Sequence, residues 1–159
     1  MRERTTFADG PGMYYTAFRI QSRSAVPTPL PRSPSPDPAK VAQASLRTFF
    51  RIADAWKLGV DEQMTLLGLT SRSTYFKWKK EGTDRLSRDT LERLSYLFGI
   101  YKALQTLLPA PDAADGWVRR PNDAPLFHGR SALERMLSGN VADLYVVRQY
   151  LDAQRGGWA

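Results

Sequence analysis

Cysteine is absent from the 159 residues and histidine occurs once, at His128. Disulfide scaffolds, thiol nucleophiles and Cys/His zinc sites are therefore excluded by inventory. No run approaches the roughly 18 apolar residues that a membrane helix needs, and the N-terminal stretch lacks a continuous apolar export signal. The chain is expected to be cytoplasmic. Neither GxxxxGK[ST] nor GxGxxG occurs, so the common phosphate-cradling loops are missing too. Acidic residues are the minority, 16 Asp plus Glu against 23 Lys plus Arg, which leaves a formal charge of +7 and favours a polyanionic partner. Strand-like alternation is nearly absent, and an all-α fold is the expectation.

What is present is unevenly spread. Residues 1–40 hold seven of the eleven prolines, six of them in VPTPLPRSPSPDP (Val26 to Pro38). Each proline removes a backbone donor and biases its predecessor to extended geometry, so a disordered, Pro-rich N-terminal arm is expected there. From residue 41 the periodicity is helical. Leu46, Phe49, Phe50, Ala53 and Trp56 form the apolar face of a first helix that Gly59 can end. Asp61 is the expected cap of a short second helix, with Met64 and Leu67 inward and Gly68 past its end. Thr70 or Ser71 can cap a third helix running to Gly82. Ser87 caps a fourth, whose Leu91, Leu94, Phe98, Tyr101, Leu104 and Leu108 recur at helical spacing until Pro109. These elements suggest a helix-turn-helix domain over 41–110. A second block, 111–159, contains a Pro-Asn turn, a capping box in Ser131 to Glu134, and a last helix capped by Asn140.

TSRSTYFKWKK, residues 70–80, is the segment richest in chemistry. A short helix, a glycine turn and a basic second helix is the sequence form of a helix-turn-helix. On a helical wheel Tyr75 and Trp78 share an inner face, while Ser73, Phe76, Lys77 and Lys80 project outward with Arg72 beside them. Lys77 and Lys80 can reach phosphates or guanine edges, Ser73 a base or phosphate, and Arg72 a guanine. The bland alternative is a solvated basic face on an aromatic anchor. His128 lies in the loop-like APLFHGRS and has no carboxylate partner at a catalytic spacing, so no enzyme, metal or cofactor is expected.

The order of five segments resembles the Xre/MbcA/ParS-like antitoxins of RES-Xre type II toxin-antitoxin modules. The carriers are LLGLTSRSTYFKW (Leu66 to Trp78), LSRDTLERLSYLFGIYKALQTLL (Leu86 to Leu108), GWVRRPN (Gly116 to Asn122), LFHGRSALERMLSG (Leu126 to Gly139) and VVRQYLDAQRGGWA (Val146 to Ala159). Where the family usually has proline after the serine of the GRS segment, this chain has Ala132. The resemblance implies an Xre-like helix-turn-helix bundle followed by a small α-helical toxin-binding domain. It implies a cognate RES-domain toxin that consumes NAD or transfers ADP-ribose, whose NAD cleft the antitoxin covers. It also implies promoter DNA as a second partner and a homodimer inside the hetero-oligomer. The last helix suits a partner, because Leu144, Tyr145, Val146, Val147, Tyr150 and Leu151 make it apolar nearly all round. Tyr145, Arg148, Tyr150, Leu151, Arg155 and Trp158 are the expected toxin-binding residues, the arginines because guanidinium forks pair with phosphate and carboxylate. The rival readings are a stand-alone regulator whose second block dimerises or binds a small ligand, and a helix-turn-helix that only scaffolds the toxin.

Overall fold

Residues 36–156 are described in the computed structural model of the chain. The Pro-rich stretch before them, and Trp158 after them, lie outside the described residues. Seven helices are described: α1 (Pro38–Ala55), α2 (Val60–Leu67), α3 (Arg72–Glu81), α4 (Arg88–Leu107), α5 (Pro111–Trp117), α6 (Ala132–Met136) and α7 (Val141–Gly156). Among the described residues there is no strand, only an isolated bridge between Pro121 and Ser131.

Local chemistry sets the ends. Asp37 accepts the Ala39 N–H at 3.0 Å and Pro38 takes the first helical position, where its missing donor costs nothing. Helix α1 therefore takes up the last three residues of the expected arm, 38–40. It also stops earlier than Gly59. Lys57 adopts a left-handed φ of 53°, and the Leu58 and Lys57 amides donate back to Ala53 and Asp54, closing a Schellman turn on a non-glycine residue. Gly59 becomes the N-cap of α2 instead, its amide donating to Glu62 Oε2 at 2.7 Å, which leaves Asp61 within the first turn rather than at the cap. The expected caps Ser71, Ser87 and Ser131 each accept an amide three residues on. At Asn140 it is the backbone carbonyl that accepts the Asp143 amide, at 3.2 Å.

Helix α4 is the shaft of the molecule, about 30 Å long for its 20 residues. It packs against α1 and α2 on one side and α5 and α7 on another. Its buried stripe is Leu94, Leu97, Ile100, Ala103 and Leu104, with Thr90 and Arg93 at its start. The stripe drawn from leucine and aromatic spacing was displaced: Leu91 is exposed, and Phe98, Tyr101 and Leu108 are half-buried. A shaft covered by four helices buries more than one narrow face, and small or polar residues serve where neighbours come close. The same core takes in Leu46, Phe49, Ala53 and Trp56 of α1 and its following turn, and Leu144, Val147 and Leu151 of α7.

Candidate functional site

The corner made by α2 and α3 is held by a buried polar chain. Tyr75, fully buried, donates its hydroxyl to Gln63 Oε1 at 2.6 Å, and Gln63 Nε2 donates to the Leu58 carbonyl at 2.8 Å. Three segments are thereby fixed by one amide. Gly68 closes α2 with φ 72°, and a Cβ there would stand 2.7 Å from Asp89 Oδ2 and 2.8 Å from Arg93 Nε, so both conformation and space require glycine. Trp78, expected inside with Tyr75, is only half-buried and lines a cleft with Gln43, Leu46, Arg47 and Phe50.

The outer face of α3 exposes Arg72, Ser73, Phe76, Lys77 and Lys80 together. Arg72 is paired with Asp61 at 2.5 Å, but with 61% and 79% of the two side chains exposed, such a pair holds by only about 0–1 kcal/mol. Ser73 shares a hydrogen bond with Ser71 at 2.8 Å. Lys79 turns sideways, its ammonium 5.8 Å from the Phe50 ring centre and 5.9 Å from that of Tyr75.

On α7 the expected toxin-binding residues separate by helical phase. Leu151 is 2% exposed and belongs to the core with Leu144 and Val147, so its side chain anchors the helix instead of presenting a surface. Tyr150 is half-buried in an aromatic cluster, stacked on Trp117 with ring centres 6.4 Å apart and edge-on to Phe127 at 5.1 Å. Arg148 donates to Asp152 at 2.6 Å and lies flat across α4 at Gly99, where a Cβ would stand 1.8 Å from its Nη1. Tyr145 and Arg155 face outward. Tyr145 meets Tyr96 edge-on at 5.7 Å. The Tyr96 phenol is shifted up from its ordinary value, by desolvation first and then by the Glu92 carboxylate that accepts its hydrogen at 3.2 Å. Arg155, 3.6 Å from Asp152, borders a groove of about 800 Å³ between the ends of α4 and α7, lined by Thr106, Leu107, Asp152 and Gly156. Helix α7 is thus central to its own bundle on one side and outward at Tyr145 and Arg155.

Two arginines that sequence reasoning passed over join the two blocks. Arg93, 9% exposed, donates to Asp89 at 2.7 Å and to the Gly139 carbonyl at 2.9 Å, beside Gly68, so it touches both the α2–α3 turn and the approach to α7. Arg119 donates to the Trp56 and Lys57 carbonyls and to Glu62 Oε2, capping the end of α1 from the loop after α5. Between α5 and α6 the Asn122 side chain accepts the Ala124 amide at 2.9 Å, which makes the Pro-Asn segment a turn. The lone histidine stands exposed in that connection with φ 51°. At α6, the Glu134 carboxyl is held below its ordinary value, first by the Ser131 amide and next by the Ser131 hydroxyl.

A glycine-turned helix pair with a basic outer helix, fused through a shared shaft to a second helical block, defines a helix-turn-helix protein with an added binding module. The model of the antitoxin Xre-like helix-turn-helix domain matches residues 38–99, and that of the antitoxin Xre/MbcA/ParS C-terminal toxin-binding domain matches residues 103–157. The chain belongs to the Xre/MbcA/ParS-like antitoxins. A protein of Sinorhizobium fredii (strain NBRC 101917 / NGR234), the uncharacterized protein y4oB, is 58% identical over 125 residues, 79% of this chain and 94% of that one.

Proposed function

We propose that the chain neutralises a RES-domain toxin in the cytoplasm by covering its NAD cleft, and that as a homodimer it represses its own operon through the outer face of α3. It has no catalytic role of its own in this reading. The observation that carries the proposal is the coincidence of the toxin-binding match, residues 103–157, with the part of α7 that leaves Tyr145 and Arg155 outward. Arg155 ends a helix, is 38% exposed and has only a long contact to Asp152, so its guanidinium can exchange that partner for a phosphate or carboxylate. Arg148 and Tyr150 position the helix in this scheme, and the closing residues through Trp158 extend the contact. Promoter binding rests on Arg72, Ser73, Lys77 and Lys80, all exposed on one helix.

The test is co-purification of this chain with the product of the neighbouring gene, followed by an NAD-consumption assay with and without the antitoxin. Full chain is expected to stop NAD loss. A chain ending at Gln154, or carrying Arg155→Ala, should keep its melting temperature and lose inhibition by at least tenfold, the effect of about 1.4 kcal/mol. A cut at residue 148 is unsuitable, because it would also remove the core residue Leu151. Undiminished inhibition by the shortened chain would remove the tail from the interface. A partner that consumes no NAD would exclude the RES assignment.

A further inference from the structure

Phe76 is the most exposed of the large apolar side chains among the described residues, at 53%. Its ring meets Tyr75 edge-on at 5.2 Å, and Tyr75 is locked from beneath by Gln63. The ring is therefore held out from a fixed base. Around it stand cations: Arg72 one turn before, Lys77 next to it and Lys80 one turn after, against Glu81 in the same helix and Asp61 of α2, which pairs with Arg72. An apolar protein surface would be poorly matched to that collar, since docking would desolvate several charges. A polyanion with apolar groups set between its charges matches it well. The major groove of DNA is such a surface, with phosphates on both rims and the C5 methyl of thymine inside.

We infer that Phe76 determines sequence specificity by packing on a thymine methyl while the neighbouring cations hold the phosphates. The inference rests on the DNA-binding reading above. Phe76 is the fifth residue of α3, at i+3 from Ser73 and i−4 from Lys80, so it shares their face. The leading residues of a recognition helix are those that meet base edges.

The experiment uses the full chain and duplexes tiled across the DNA upstream of its own gene, read by gel shift at several salt concentrations. In the tightest duplex each thymine is replaced in turn by deoxyuridine, which removes only the methyl. At one or two positions affinity should fall about fourfold, the effect of one methyl leaving an apolar contact. Phe76→Ala should bind more weakly and ignore those replacements with its salt slope unchanged, and Phe76→Leu should recover part of the discrimination. Lys77→Ala with Lys80→Ala should instead lower the slope by about 2 and keep the deoxyuridine effect. Binding that ignores every replacement, or a Phe76→Ala chain that still senses them, overturns the role of Phe76 and leaves DNA binding standing. Failure to shift any duplex at low salt overturns DNA binding, and this inference with it.

Discussion

Gln63 is 4% exposed, and both ends of its amide are used, one by Tyr75 and one by the Leu58 carbonyl. Removing the tyrosine hydroxyl leaves a buried acceptor without its donor, which costs about 1–3 kcal/mol. Tyr75→Phe should therefore lower stability by that amount in a urea melt. Gln63→Leu should cost at least as much, because it abandons both partners. The double variant should cost less than the sum of the singles, since the second change removes a group already orphaned. Additive losses would show that the two side chains act independently and that α3 is placed by packing alone.

The helices were largely legible in the sequence, and the reasons are local. Ser71, Ser87 and Ser131 could be read as caps because capping needs only a hydroxyl and an amide three residues later. Gly68 could be read as a helix end for the same kind of reason. Lys57 could not, because a left-handed lysine is rare enough that Gly59 two positions on looked the better stop. Leu91 misled in α4, since the side that counts is set by which helices cover the shaft. At the candidate sites the pattern was similar: the outward set on α3 followed from helical phase, whereas Leu151 faced the core because Leu144 and Val147 define that side. The ties that Arg93, Arg119 and Gln63 make between distant segments gave no local sign, as the partners in them lie 46, 63 and 12 residues away. Helix α6 offers a test at this scale. Glu134 is more acidic in the folded chain than in the unfolded one, so its capping contribution is complete above the ordinary carboxylate pKa and is lost as pH falls through the lowered folded value. Wild type should exceed Glu134→Gln in melting temperature at neutral pH, and the two curves should converge in acid. Parallel curves down to acid pH would deny the carboxylate that role.

The two family matches meet between residues 99 and 103, inside α4 rather than in a loop. Buried side chains on both sides of that join, Leu94 and Leu97 before it and Ala103 and Leu104 after it, belong to one core. The described residues should accordingly unfold as a unit. Calorimetry is expected to show a single transition whose calorimetric and van't Hoff enthalpies agree, and two resolved transitions would mean that the blocks are independent. Arg93 and Arg119 add polar ties across the same boundary.

A join in mid-helix also constrains ancestry. Modules connected by a loop can be exchanged between genes with little regard to phase. Here one residue gained or lost near Gly99 would turn everything downstream by about 100° and shift it by about 1.5 Å. Arg148 would lose its seat over Gly99, and the α7 side of the core would face solvent. Recombination between relatives is thus productive only where the helical register survives, which passes the helix-turn-helix and toxin-binding halves on together.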